Sequence, residues 1–162
     1  MMKKMFLRIL VVLFLINGEF CMASATRTEV VDVEINKIYD VLVDYAKYPE
    51  FVDGVNEINV ISKNDTSAKV EYSVSMIKTF KYTLNLKQTR PTGLSWTLDS
   101  GDLFKKNDGE WKLKDLGNGK TEVTYSLDLD FKMFAPSSIL SALTSKNLPS
   151  MMESFFKRAK AK

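Results

Sequence analysis

The sequence predicts an α+β fold in which a curved antiparallel sheet of six to seven strands surrounds a long C-terminal helix. Three observations predict it: apolar and polar residues alternate with period two through most of the chain, turn-forming residues separate the alternating runs, and apolar residues near the C-terminus recur at helical spacing. Each run has one apolar and one polar face, which is typical of an antiparallel sheet covered on one side. One helix can cover the apolar face of six strands only if the sheet curls around it. We therefore expect a curved sheet with space left between the sheet and the helix.

The N-terminal part of this domain is predicted to form one strand and one or two helices. The first strand is expected at 27–34. Asn36 is a suitable N-cap for a helix at 37–45, whose apolar residues lie on one face. Pro49 ends that helix or begins a short second turn at 50–52.

The central part of the chain predicts a meander of strands joined by short turns. The alternating runs lie at 58–61, 68–76, 80–86, 94–98, 110–114 and 123–133. The turn signals between them are NDT at 64–66, PTG at 91–93, NDG at 107–109 and GNGK at 117–120. The last of these contains an Asn-Gly pair, which favours a type I′ hairpin turn.

The C-terminal part is helical in its pattern. Its apolar stripe begins at Ile139 and ends at Ala159, and Pro149 interrupts it. We interpret this as a short helix followed by a main helix that begins near Pro149, where the missing N–H costs little. One kinked helix is the alternative.

Residues 1–25 have the pattern of a cleavable secretory signal peptide. They begin with three basic residues, continue with an apolar run at 9–16 and end in the sequence ASA. The run is well short of the ~20 residues of a membrane-spanning helix, which favours cleavage after Ala25 over a retained anchor. Lipidation at Cys21 is a third alternative, which the large and charged residues before it disfavour. We therefore expect a single domain at 26–162 in a periplasmic or secreted protein.

Composition excludes several classes of function. The chain of 162 residues contains no histidine, which excludes Ser-His-Asp and Cys-His catalysis and histidine-ligated metals. The single cysteine excludes an intramolecular disulfide. Removal of residues 1–25 lowers the number of basic residues from 23 to 20 and the number of acidic residues from 20 to 19. The net charge therefore falls from +3 to +1. This charge gives no reason to expect nucleic acid as a partner, and nothing in the sequence predicts a metal or a cofactor.

Aromatic and methionine residues are concentrated on the predicted apolar faces. A close-packed core would explain any one of them, but tyrosine and tryptophan also carry polar atoms that need partners when buried. A pocket for a hydrophobic ligand with a polar head would use those atoms, and the notable methionine content suits adaptable apolar contacts. The predicted ligand-binding residues are Tyr48, Pro49, Phe51, Tyr72, Phe80, Tyr82, Trp96, Trp111, Tyr125, Met151, Met152 and Phe155. Met76 and Met133 share the apolar face of the sheet.

Two groups of charged residues are open to a functional and a simpler interpretation. Asp128 and Asp130 lie two residues apart on one predicted strand and could form a paired site, although a solvated strand face explains them more simply. The basic tail at 157–162 is explained as a solvated helix end, with contact to anionic lipid headgroups at a membrane surface as the alternative.

A resemblance to a known family adds to this interpretation. The segment 44–51, DYAKYPEF, resembles the D-x-x-x-Y-P-x-F signature after the first helix in the coenzyme Q-binding branch of START-like (SRPBCC) domains, which is grouped with polyketide cyclase/dehydrase-like lipid-transport proteins. Segments at 101–104, 109–113, 121–131 and 155–159 resemble further elements of that family in the same order. The resemblance covers essentially residues 26–162.

The resemblance implies a helix-grip fold with a deep apolar cavity that binds a lipid or an isoprenoid quinone without converting it. Our leading hypothesis is therefore an exported, non-enzymatic binding or transport protein, with the quinone or lipid as ligand rather than cofactor. A polyketide-cyclase-like enzyme that uses tyrosine or carboxylate acid–base chemistry in the same pocket is one alternative. A protein-interaction module that recruits a partner through the loops at 48–54 is the other. We expect Tyr48, Pro49 and Phe51 to form a stiff lip over the cavity mouth, or else to plug the end of the sheet.

Overall fold

A computed structural model describes residues 22–75, 78–132 and 147–162. Its elements in chain order are β1 (Met22–Val31), α1 (Ile35–Leu42), a 3-10 helix (Tyr45–Glu50), β2 (Val55–Lys63), β3 (Ser67–Ser75), β4 (Thr79–Thr89), β5 (Gly93–Gly101), β6 (Phe104–Gly117), β7 (Lys120–Phe131) and α2 (Leu148–Lys160). Seven strands form one curved antiparallel sheet and α2 is the C-terminal helix, so the predicted α+β class and architecture are confirmed.

The sheet has the order β1-β7-β6-β5-β4-β3-β2, so that strands β2 to β7 form a simple meander and β1 pairs with β7. The predicted turn at 64–66 joins β2 to β3, where the Asn64 side-chain oxygen accepts hydrogen bonds from the N–H groups of Thr66 and Ser67. The turn between β6 and β7 has positive φ at Asn118 (53°) and Gly119 (71°), as a type I′ turn requires. Both turn predictions are confirmed.

Three local predictions are wrong. Pro49 neither ends α1, which stops at Leu42, nor begins a turn at 50–52, since it lies inside the 3-10 helix. The residues at 107–109 do not form a turn but lie inside β6, because Gly109 lies under the indole of Trp96 on β5. A Cβ at Gly109 would be 2.2 Å from Cζ2 of Trp96, so the glycine serves close packing and not a change of chain direction. Asn36 is not the N-cap of α1; it lies within the helix, and Glu34 precedes the first turn without a side-chain cap.

The C-terminal helix begins one residue before Pro149, which lies in its first turn as expected. Its buried residues are Leu148, Met152, Phe155, Phe156 and Ala159. These join the main core, which also includes α1, the 3-10 helix and the concave face of the sheet. A second, smaller core at one end of the sheet consists of Leu103, Phe104, Leu129 and Phe131. Within the described ranges, neither α-helix has the length and apolar character of a membrane-spanning helix.

Several predictions fall on residues outside the described ranges. These are the signal segment before Met22, the short helix near 139–143, and the two methionines Met76 and Met133. Residues 22–25, which precede the predicted cleavage point, form the start of β1 and pair with residues 127–130 of β7. Cleavage after Ala25 stays a prediction, and it would leave residues 26–31 of β1 paired with β7.

Candidate functional site

A cavity of about 410 Å³ lies between the concave face of the sheet and α2. This volume is within the range of small-molecule pockets in proteins. The described residues that line it on the sheet side are Val55, Tyr72, Val74, Ser75, Tyr82, Leu84, Leu86, Leu94, Trp96, Phe104, Asn107, Trp111, Tyr125, Leu127 and Leu129. The helical segments and their flanks contribute Tyr48, Val52, Asp53, Gly54, Asn147, Leu148, Ser150, Met151, Ser154 and Phe155.

Eight of the twelve predicted ligand-binding residues lie on the wall of this cavity. They are Tyr48, Tyr72, Tyr82, Trp96, Trp111, Tyr125, Met151 and Phe155. The alternation of the strands explains the result for the sheet residues, since side chains two apart in a strand point to the same face. Met151 and Phe155 are four residues apart in α2 and therefore share one face of that helix.

Cross-strand aromatic pairs build the sheet side of the wall. Tyr72 on β3 lies directly opposite Tyr82 on β4, and their rings stack with centroids 5.3 Å apart. Trp111 on β6 lies opposite Tyr125 on β7, with centroids 4.8 Å apart in an edge-to-face arrangement. Such pairs hold large rings in fixed positions, which gives the wall a defined shape.

Phe155 joins the helix to the rest of the wall. Its ring lies 5.0 Å from that of Tyr48 in the 3-10 helix and 5.1 Å from that of Trp111, measured between centroids. The hydroxyl of Tyr48 donates a hydrogen bond to the carbonyl oxygen of Leu42 at 2.6 Å, which fixes the 3-10 helix to the end of α1. The helix and the 3-10 segment are therefore coupled through buried aromatic contacts at one end of the cavity.

The other four predicted residues do not line the cavity. Pro49 is exposed, and Phe51 is half-buried behind Phe155 with ring centroids 5.1 Å apart. Phe80 packs against the second core, because β4 extends beyond the end of the cavity. Met152 is buried in the main core, since adjacent residues of a helix point in directions about 100° apart.

Residues 52–55, which directly follow the predicted lip of Tyr48, Pro49 and Phe51, form one border of the cavity. Residues 52–55 line the cavity, and Gly54 has a φ of +82°. The carbonyl oxygen of Gly54 accepts a hydrogen bond of 2.7 Å from the N–H of Ser75, which ties this segment to the end of β3. Of the proposed lip residues, only Tyr48 lines the cavity. The four residues that follow Phe51, at 52–55, also line it, and the sequence did not predict this.

Asn107 is the most informative cavity residue that sequence analysis missed. It is 6% exposed and lies on β6, and the N–H of Trp96 donates a hydrogen bond of 3.1 Å to its side-chain oxygen. Its position could have been found by extending the alternation of Trp111 and Leu113 backward, which places residues 107 and 109 on the same face. The Asn-Asp-Gly sequence favoured a turn and concealed this pattern.

The tyrosines of the cavity are neutral at ordinary pH. Burial raises the pKa of the Tyr48 and Tyr72 phenols well above the ordinary value of 10.0. Burial also raises the pKa of Tyr82 and Tyr125. These four hydroxyl groups are therefore suited to hydrogen bonding and not to proton abstraction near neutral pH.

The described cavity wall carries little charge. Asp53, which is exposed, is the one charged residue among those that line the cavity in residues 22–75, 78–132 and 147–162. The same ranges contain no cluster of three or more acidic, cysteine or histidine side chains that could hold a metal ion. The arrangement is that of an apolar pocket with a few neutral polar groups.

Several of the charged side chains noted in the sequence form ion pairs with other residues, whereas Oδ1 of Asp130 is buried without a hydrogen-bond partner in the described part of the chain. Asp128 forms an ion pair with Lys106. In the basic tail, Arg158 lies 2.6 Å from a carboxylate oxygen of Glu50 in the 3-10 helix, and Lys162 lies 3.8 Å from one of Asp44. These contacts account for part of the charge of the tail within the protein itself.

A curved antiparallel sheet that wraps one C-terminal helix and encloses an apolar cavity defines the START-like, or helix-grip, class of protein. The model of the polyketide cyclase/dehydrase and lipid transport family matches residues 31–156, and the chain belongs to that family. The ribosome association toxin RatA of Pseudomonas aeruginosa is a relative, 23% identical over 124 residues, which are 76% of this chain and 85% of that protein.

Solved structures show the same fold. The Zhui aromatase/cyclase of Streptomyces sp. R1128 has a TM-score of 0.76 at 13% identity, and the match covers 86% of this chain and 94% of that one. A START superfamily protein of Mycobacterium smegmatis has a TM-score of 0.74 at 15% identity, with 86% and 98% of the two chains covered. At these identities the likeness concerns the fold.

Proposed function

We propose that this protein binds one hydrophobic ligand, a lipid or an isoprenoid quinone, between the sheet and α2, and does not convert it chemically. The observation that carries the proposal is the cavity of about 410 Å³ with leucine, valine and aromatic side chains on its wall. Burial of apolar ligand surface there contributes roughly 25 cal/mol per Å². Membership of a family that includes lipid-transport proteins supports the same conclusion.

A binding role is favoured over an enzymatic one by the chemistry of the wall. Acid–base catalysis needs a group whose pKa lies near the working pH. The phenols of Tyr48, Tyr72, Tyr82 and Tyr125 have pKa values raised by burial and so stay protonated. The aromatase/cyclases among the structural neighbours make a cyclase the alternative outcome that the experiment must distinguish.

The proposal places this binding activity outside the cytoplasm, after cleavage behind Ala25. The support is the basic, apolar and Ala-Ser-Ala pattern of the first 25 residues. N-terminal sequencing of the protein from its own cell envelope should return Thr26 as the first residue. Recovery of Met1 or Met2 from a membrane fraction would instead establish a retained anchor. Contact of the C-terminal tail with a membrane surface, where ligand would be exchanged, is part of the same proposal.

Native mass spectrometry of the protein purified from its own envelope tests the binding proposal. We expect a hydrophobic molecule bound in one-to-one ratio and recovered unchanged after incubation. A persistently empty cavity would contradict the proposal and favour a protein-interaction module. Conversion of the bound molecule to a cyclised product would identify an enzyme.

Intrinsic fluorescence provides an independent test of the location. Trp96 and Trp111 both line the cavity and are the only tryptophans of the chain. Ligand should change the emission of Trp96→Phe and of Trp111→Phe variants, since each retains one reporter on the wall. A ligand that binds without changing either signal lies elsewhere on the protein.

A further inference from the structure

The side-chain amide of Asn107 has a fixed orientation. The indole N–H of Trp96 donates a hydrogen bond to the Asn107 oxygen at 3.1 Å. Indole nitrogen is only a donor, so the amide oxygen and not the amide nitrogen must lie toward it. The amide NH₂ group is therefore directed away from Trp96.

This NH₂ group lies in apolar surroundings. Asn107 is 6% exposed and lines the cavity, and it pairs across the sheet with Leu129 on β7. Leu127 and Phe104 line the cavity on the same two strands. The nitrogen donates no hydrogen bond to another residue in the described part of the chain. The one fully buried side-chain nitrogen or oxygen without a partner among the described residues is Oδ1 of Asp130, so the Asn107 nitrogen is not such an atom. It borders the cavity, where an acceptor on a ligand can pair with it.

We propose that the Asn107 amide is the anchoring donor for a neutral oxygen acceptor, such as a carbonyl, on the head of the bound ligand. The proposal rests on the proposed function, since it assigns the chemical class of the ligand for that same cavity. Trp96 is a positioning residue. Its N–H occupies the amide oxygen of Asn107, so the Asn107 amide can offer only its N–H hydrogens to the ligand. The apolar body of the ligand then lies along the leucines and aromatic rings of the wall.

The charge of the wall selects for a neutral head. No lysine or arginine is among the described residues that line the cavity. A carboxylate or phosphate at Asn107 would lose its hydration without gaining a counter-ion from the described part of the wall, which is unfavourable in an apolar site. A ketone or quinone oxygen needs only a hydrogen-bond donor, and the amide supplies it.

Three probes of equal chain length separate these requirements. Methyl nonyl ketone carries a carbonyl acceptor, undecane carries no polar group, and undecanoate carries a charge. We expect the wild-type protein to bind the ketone more tightly than undecanoate. Binding is measured by the fluorescence of Trp96 in a Trp111→Phe background, where it is the sole tryptophan and keeps its hydrogen bond to Asn107.

In that background, addition of Asn107→Leu should weaken ketone binding about tenfold, the loss of one buried hydrogen bond. Undecane should bind both variants within a factor of two. Equal changes for ketone and undecane, or no change for the ketone, would overturn the role of Asn107. Tighter binding of undecanoate than of ketone would overturn the neutral class. Failure of every probe to bind the wild type would contradict the proposed function as well.

Asn107→Asp is the second variant, for the case in which the double variant does not fold. It has the same shape and still accepts from the Trp96 N–H, but its ionised form offers no donor. Ketone affinity of this variant should fall as pH rises and its carboxyl group ionises, while that of the wild type stays level. A level profile in both proteins would overturn the proposal.

Discussion

Replacement of Phe155 by alanine tests whether one side chain both holds α2 in place and closes the cavity wall. Phe155 is 3% exposed. Its ring contacts Tyr48, Phe51 and Trp111 with centroid distances of 5.0, 5.1 and 5.1 Å. Truncation removes all three contacts, and with them the aromatic connection between α2, the 3-10 helix and β6.

The expected loss follows from burial and from the position of the ring. Truncation of a buried phenylalanine to alanine typically costs about 3–5 kcal/mol of unfolding free energy. Phe155 borders the cavity but is only 3% exposed, so nearly all of its ring is packed against neighbours. We therefore expect a loss within this range, which lowers the melting temperature by roughly 6–20 °C for a chain of this size.

Phe51→Ala is the matched control. It removes the same side chain from a half-buried position that does not line the cavity, so the expected loss is about 1–2 kcal/mol. Thermal unfolding and the dissociation rate of a bound probe are measured on the same preparations. Phe155→Ala should release the probe faster, and Phe51→Ala should leave the rate close to that of the wild type. Equal losses of stability, or unchanged release from Phe155→Ala, would refute the proposed double role of this ring.

Three further outcomes are expected. Gly109→Ala should lower the unfolding free energy measured in urea by about 1–3 kcal/mol and change the emission of Trp96, because the added Cβ would lie 2.2 Å from the indole. Unchanged stability and emission would contradict the packing described for this strand. Glu50→Gln should leave the unfolding free energy in the same assay close to that of the wild type, since the ion pair with Arg158 is half-exposed, and a clear loss would show that this contact stabilises the fold. Ionisation of buried phenols such as Tyr48 should not change the unfolding free energy below about pH 10. Above that pH the unfolding free energy should fall, because the tyrosines of the unfolded chain ionise while the buried ones remain protonated. Absorbance titration of phenolate formation with and without denaturant checks this, and identical titrations would refute it.

The sequence predicted most of the fold because its signals are local. Period-two alternation identified the strands, and the Asn-Gly pair of the last hairpin identified a turn whose positive φ values the structure contains at Asn118 and Gly119. Errors occurred where tertiary packing overrides local preference. Gly109 is such a case, since a glycine next to two polar residues favours a turn but here accommodates the ring of Trp96.

For the site, the strand pattern predicted which side chains face inward but not which of them border empty space. Phe80 and Tyr82 have the same parity on β4, yet only Tyr82 lines the cavity, because the second core takes up the end of the strand that carries Phe80. Met151 and Met152 are neighbours in sequence, and the orientation of α2 directs one to the cavity and the other to the core. These distinctions depend on where the sheet curves and where the helix lies.

The sequence by itself determined the antiparallel character of the sheet, its C-terminal helix and the aromatic nature of its inner face, since these follow from residue spacing along the chain. Only the tertiary structure decided which inward residues meet across the cavity. It also brought the Trp96 N–H to the oxygen of Asn107, which leaves the amide NH₂ as a donor within an apolar wall. The physical reason is that a hydrogen bond between neighbouring strands depends on register and ring orientation, and neither is encoded in a local pattern of polar and apolar residues.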